Sequence, residues 1–307
     1  MIKTFGALLA AFLFALGVTA PANAQGGSGD FGVLVMAHGG GPAWNSQVEA
    51  LMAPLQRDYH AEIALGMADP NTLQEAARRL EARGVRRIAV VRLFVSGDSF
   101  RERTEQILGL RPGAPPRPQG DHSGHGGHGA AQGAGHDMSL WRIESNARFA
   151  LSNEGLMNAR EMGAVLVERV RPLSRDPRRE TVLVLAHGPG DDGENARWIS
   201  EIDARAQALR GHAPFRRVVV ETLREDWPEA RAASEARIRA LAAEAQRDGG
   251  QLIVLPYRVT GFGPYARVLE GVTYTADRQG LLPSAQVEQW IRRQADSLRS
   301  TIPASAY

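Results

Sequence analysis

The sequence contains no cysteine. Disulfides, thiolate metal sites, iron–sulfur clusters and lipid attachment at an N-terminal cysteine are thereby excluded. Lysine is almost absent as well: Lys3 is the only one, and arginine carries the remaining positive charge. A Walker-type phosphate lysine or a Schiff-base lysine has no candidate beyond that position. Nor is there an excess of either charge, since 36 Lys+Arg face 34 Asp+Glu for a net +2. The concentrated basic face that nucleic acid requires is not to be expected. No apolar run is long enough to span a bilayer. Ala7–Val18 falls well short of the roughly 20 residues needed.

That short run has another meaning. It follows a single positive charge in Met1–Phe5 and precedes Ala22-Asn23-Ala24, a small-x-small cleavage site. This is the layout of a secretory signal peptide, so residues 1–24 are expected to be removed. The product is expected in the periplasm or outside the cell, without stable membrane insertion.

A chain of 307 residues suggests two domains, and the sequence repeats itself accordingly. Phe31-Gly32-Val33-Leu34-Val35-Met36-Ala37-His38-Gly39 returns as Thr181-Val182-Leu183-Val184-Leu185-Ala186-His187-Gly188. Both are apolar β-type runs that end in Ala-His-Gly, enter a glycine turn, and continue through an asparagine (Asn45, Asn195) into helical periodicity. Second strands are predicted at Ala61–Met67 and Arg216–Thr222, and third strands at Arg87–Val95 and Gln251–Val259. Helices are predicted between them over Asn71–Arg83 and Glu229–Arg247. Weaker fourth strands, Trp141–Ala150 and Gly271–Thr275, precede closing helices near Glu154–Val170 and Ser284–Leu298. Strands alternating with helices predict parallel sheets covered on both faces. The expected fold class is therefore α/β: two tandem doubly wound domains, each with a roughly four-stranded parallel sheet, over residues 30–173 and 178–302. The pseudo-symmetric pair is expected to act as a monomer, divided at the polar, Pro-containing stretch Arg171–Pro177.

Residues 111–138 have no counterpart in the second half. Their Gly, Pro and His content offers little to a core and reads as a mobile loop. Within it, His122, His125, His128 and His136 form a tract suited to metal binding.

Ligands of open parallel sheets bind beyond the carboxyl ends of the strands. His38 and His187 sit at those ends, and a neutral imidazole there can bind a transition metal or accept a proton. One such histidine would as readily cap its strand. The same tripeptide at equivalent ends of two repeats favours a ligand or base role. Trp44 and Trp198, after the glycine turns, suit stacking on a flat ligand as well as packing. Asn45 and Asn195 are candidates to polarise the nearby histidine in a ligand-binding site or simply to hold the turns. Asp69 and Asp226 read as helix-start residues. A hydrolase is a poor fit, because no Gly-x-Ser-x-Gly elbow occurs.

The succession strand–Ala-His-Gly–turn–Asn–helix, followed by an acidic, Pro-containing helix start and a late apolar strand, resembles the sirohydrochlorin cobaltochelatase/ferrochelatase family. The resemblance covers most of Phe31–Leu108 and, more loosely, Thr181–Leu298. It implies a class II chelatase, a lyase that inserts Co2+ or Fe2+ into a tetrapyrrole. His38, and through the repeat His187, would then be metal ligand and base for the pyrrole N–H protons. The family's second histidine follows the third strand in a Leu-Phe-Leu-x-x-Gly-x-His pattern. In Leu93-Phe94-Val95-Ser96-Gly97-Asp98-Ser99-Phe100 its place is taken by Phe100, and Pro256–Pro264 also lacks it. Either His38 and His187 meet across a cleft between the halves, or the histidine tract supplies the missing ligands. The expected function is binding of Co2+, Fe2+ or Ni2+ with insertion into a tetrapyrrole. The alternative is a non-catalytic exported protein that binds or delivers metal or tetrapyrrole.

Overall fold

The computed structural model of the chain describes residues 29–118 and 139–303. The expected signal segment and the tract His122, His125, His128 and His136 lie outside the described residues.

Among the described residues eight strands run β1 (Phe31–Ala37), β2 (His60–Leu65), β3 (Arg87–Leu93), β4 (Arg148–Leu151), β5 (Glu180–Ala186), β6 (Arg217–Thr222), β7 (Gln251–Tyr257) and β8 (Thr275–Ala276). The helices in the first half are α1 (Pro42–Glu49), α2 (Met52–Gln56), α3 (Pro70–Ala82), α4 (Arg101–Ile107) and α5 (Met162–Val170). Those in the second are α6 (Asp192–His212), α7 (Pro228–Ala245), α8 (Tyr265–Val268) and α9 (Ala285–Thr301). Two four-stranded sheets form, ordered β2-β1-β3-β4 and β6-β5-β7-β8, and every pairing is parallel. The duplicated α/β architecture expected from the repeat is the one observed. No helix among the described residues is long and apolar enough to cross a membrane.

Strand periodicity sorts the core into layers. Val33, Val35 and Ala37 of β1 enter a central cluster together with Val182, Val184 and Ala186 of β5. The alternate residues point away: Leu34 and Met36 fill an outer cluster of the first half, and Leu183 and Leu185 fill one of the second. The central cluster is thus shared between the two sheets and contains Met162, Val165, Ile202, Trp290 and Ile291 from the helices between them.

Those helices are exchanged. Closing helix α9 of the second half packs on β3 and β4 of the first, while α5 of the first half packs on α6 and β7 of the second. Polar contacts lock the exchange. On α9, Arg293 donates to both Glu154 and Glu161, and Arg292 donates to Asp58. On α5, Arg169 donates to the carbonyls of Gly280 and Leu281.

Several predicted elements are shorter than expected: the third strands end at Leu93 and Tyr257 rather than Val95 and Val259, and the fourth strand of the second half is Thr275–Ala276 rather than Gly271–Thr275. The fourth strand of the first half begins at Arg148 rather than Trp141. Upstream, Ile143 N donates to Ile107 O at 2.9 Å and Arg142 N to Pro115 O at 2.8 Å, so that backbone is engaged away from the sheet. Trp141 is buried in the outer core beneath the Arg117 guanidinium, 4.9 Å from its ring, which ties residues at the edge of the expected loop to the body. Helix α5 starts at Met162 rather than Glu154. Before it, the chain passes so close to Ser96–Gly97 that a Cβ on Gly155 would lie 2.3 Å from Gly97 N.

Candidate functional site

The sheets present the carboxyl ends of β1, β3, β5 and β7 to one cavity of about 840 Å3 between the halves, and His38 and His187 both line it. Each histidine follows the last residue of a buried central strand, and each is succeeded by a glycine in the left-handed region, Gly39 at φ 81° and Gly188 at φ 78°. Only glycine takes that conformation without strain. At Gly188 space enforces the same choice, since a Cβ would meet Thr222 Cβ at 2.5 Å.

The turns orient both rings alike. His38 Nδ1 lies 2.7 Å from Gly39 O, and His187 Nδ1 lies 2.8 Å from Gly188 O. A carbonyl only accepts, so Nδ1 is the donor in both contacts. His187 Nε2 stands 3.0 Å from Asp226 Oδ2. Asp226 is therefore no helix-start residue: the N-cap of α7 is Trp227, and the Asp226 carboxylate is turned to the histidine. Asp69 does follow expectation and caps α3 by accepting from Asn71 N at 2.8 Å.

Each imidazole has an indole beside it. Trp44 meets His38 edge-on with ring centres 6.5 Å apart, and Trp227 meets His187 at 6.0 Å and 89°. Glycine turns accommodate both indoles, most tightly at Gly190, where a Cβ would fall 2.2 Å from Trp227 Nε1. Trp198 also lines the cavity, but it is largely buried and donates to Glu194 Oε1 at 3.3 Å. The exposed counterpart of Trp44 is thus Trp227, which stands before Pro228 and reads in the sequence as part of a helix opening.

Asn45 and Asn195 do not line the cavity. Asn45 Oδ1 accepts from Gly40 N at 2.8 Å and holds the first turn. Asn195 is buried and its Oδ1 accepts from Thr222 Oγ1 at 2.6 Å. Asn45 thus holds its turn, whereas Asn195 joins α6 to the end of β6.

Two buried arginines, Arg92 and Arg224, brace the loops behind the walls. Arg92 in β3 is 1% exposed. Its guanidinium donates to the carbonyls of Ser152, Gly97 and Ser99, holding the loop that places Ser99 and Phe100 in the wall. Burial pulls its pKa down to about 10. Arg224, in the left-handed region at φ 56°, donates to Pro189 O at 3.0 Å and also to Gly190 O, fixing the turn after His187. Tyr257 ties the halves together at the cavity floor. Its hydroxyl donates to Leu156 O at 2.9 Å, and burial pushes the phenol far above its ordinary range, so it remains a donor. On the rim, Arg197 of the second half donates to Asp98 of the first at 2.9 Å. Among the described residues no three or more His, Asp or Glu side chains group as a metal-holding set.

Neither a family model nor a curated protein matches the sequence. Solved structures do match. SirB from Bacillus subtilis with Fe3+ shares 12% identity at a TM-score of 0.57, over 88% of this chain and 95% of that one. The sirohydrochlorin chelatase SirB from Bacillus subtilis subspecies spizizenii, in complex with cobalt, shares 13% at 0.56, over 89% and 96%. The fold is chelatase-like. DR2241 from Deinococcus radiodurans, a multi-domain protein with structural similarity to chelatases, shares 20% at 0.53, over 87% of this chain and 55% of that one. At these identities the likeness concerns the chelatase-like scaffold alone.

Proposed function

We propose that this chelatase-like protein binds a divalent transition metal, Co2+, Fe2+ or Ni2+, in the cavity between its halves and inserts it into a tetrapyrrole. The observation that carries the reading is that His38 and His187 both line one cavity at the carboxyl edges of the two sheets. The metal is cargo here, and a cargo must leave. Imidazole is a weak enough ligand for a cargo metal, because it leaves coordination positions for incoming ring nitrogens. A neutral imidazole is also a competent acceptor for the N–H protons that a macrocycle sheds on metallation. A cavity of about 840 Å3 is in the range of small-molecule and cofactor sites. The signal-type layout of residues 1–24 supports an activity outside the cytoplasm.

The test is metal insertion into sirohydrochlorin, followed by absorbance, for the full chain and for His38→Ala and His187→Ala. Insertion above the uncatalysed rate is expected, with each variant impaired about as much as the pair, because residues that act as a unit are not additive. Metal binding without insertion would assign the delivery role instead. Wild-type rates in either variant would remove that histidine from the reaction.

A further inference from the structure

The end of the second half remote from the cavity is basic. At the amino ends of β5, β6 and β7 three turns lie side by side, because these strands are neighbours in one sheet. The chain enters β5 past Arg175, Arg178 and Arg179, β6 through Arg216 and Arg217, and β7 after Arg247. Hydrogen bonds stitch the turns together. Arg216 N donates to Pro177 O at 2.8 Å, Arg216 Nη1 to Arg247 O at 3.0 Å, and Arg179 Nη2 to Gly249 O at 2.6 Å. All six arginines are exposed.

The carboxylates of this edge do not neutralise them. Glu180 is buried and consumed by the turn itself: Oε2 accepts from Ser174 Oγ at 2.6 Å, and Oε1 accepts from Arg175 N at 2.6 Å and Asp176 N at 2.8 Å. Glu244 pairs with Arg217 at 2.9 Å. Asp248 stands 4.0 Å from Arg216, and Asp176 is exposed. Among the described residues the guanidiniums of Arg175, Arg178 and Arg247 have neither an ion pair nor a hydrogen bond. At the corresponding entry to β3, by contrast, Arg87 is spent on Asp30 at 2.8 Å.

We propose that this edge docks the protein on an anionic phospholipid surface by charge alone. Spread over three turns, the guanidiniums make a face rather than a pocket, and a guanidinium matches phosphate oxygens two at a time. The aromatic residue in these turns, Phe215, packs against the central core, so the face lacks the stacking platform that single-stranded nucleic acid uses. The exposed large apolar residues, Leu110 and Trp227, lie elsewhere, so attachment is electrostatic and reversible. The secretory layout of residues 1–24 supports a membrane rather than nucleic acid as the partner. β7 has seven residues, a rise of about 23 Å, and the cavity opens at its far end. The docked protein therefore keeps its cavity turned away from the lipid.

Co-sedimentation of the processed chain (residues 25–307) with vesicles tests the docking. Vesicles of phosphatidylglycerol and phosphatidylcholine in equal parts are expected to bind it at low salt and to release it as salt rises from about 0.05 to about 0.5 M. Phosphatidylcholine alone is expected not to bind. An arginine near such a surface contributes about fivefold to affinity, so the triple variant Arg175→Gln, Arg178→Gln, Arg247→Gln is expected to bind about a hundredfold more weakly. Those side chains hold nothing in the fold, and an unchanged thermal melt by circular dichroism is expected. The triple variant Arg78→Gln, Arg160→Gln, Arg267→Gln removes the same charge from other surfaces and is expected to bind within about twofold of the parent. Equal loss in the two triple variants would make net charge, not this face, responsible and overturn the proposal. So would absence of binding to the anionic vesicles, or equal binding to phosphatidylcholine alone. Tighter binding of a DNA duplex than of the vesicles would assign the face to nucleic acid instead. Release by inorganic phosphate at constant ionic strength would make it a small-anion site and equally defeat the docking role.

Discussion

At the scale of single residues, the turn after each strand-end histidine governs what the ring can do. Gly188 needs to be glycine twice over, through its positive φ and through the 2.5 Å approach of Thr222 to any Cβ. Gly188→Ala is expected to cost about 3 kcal/mol, combining left-handed strain with overpacking. The measurement is a lower urea midpoint at unchanged m-value. The histidines and the glycines after them were legible in the sequence because one tripeptide occurs twice at strand ends. Asp226 was not. Its place before Trp227-Pro228 matches a helix start, and only the path of the chain from β6 to α7 turns its carboxylate towards His187. Arg92 was hidden for a related reason. An arginine in a strand reads as solvated, and nothing local reveals that the carbonyls of Ser152, Gly97 and Ser99 gather around its guanidinium.

At the scale of elements, strands with continuous apolar runs were the easiest to recognise, because both faces of each sheet are covered. Boundaries moved where backbone hydrogen bonds went elsewhere, as in the stretch before β4. The least visible feature was helix exchange. An amphipathic helix such as α9 advertises a buried stripe without saying which sheet will cover it. Trp290, fully buried on α9, tests the placement. Trp290→Ala is expected to destabilise the protein by about 3–5 kcal/mol through cavity formation. Because α9 packs on β3, amide exchange should accelerate in Arg87–Leu93 of the other half before it does in β6. Selective loss of protection in β6 instead would contradict the exchange.

The whole molecule behaves as two repeats around one shared core. Since the central cluster draws on both sheets and on the exchanged α5 and α9, each half by itself would expose apolar surface and lack the helix that covers it. Fragments 29–173 and 178–303, produced separately, are therefore expected to show no cooperative thermal transition, while co-expressed fragments associate and regain one. Circular dichroism with size-exclusion chromatography reads both results. A sharp transition in either fragment alone would show that its local core suffices. The same architecture makes the cavity, since its walls come from different halves and it vanishes if they part.

Repetition, strand periodicity and glycine punctuation are local properties, and they were enough to establish the α/β class, the parallel sheets and the edge where a ligand would bind. What faces what is a long-range property. The pairing of His187 with Asp226, the substitution of Trp227 for Trp198 as the exposed indole, and the bond from Tyr257 to Leu156 O join residues remote in the chain. Their contacts depend on how two sheets pack around common helices, and neither spacing nor composition encodes that packing.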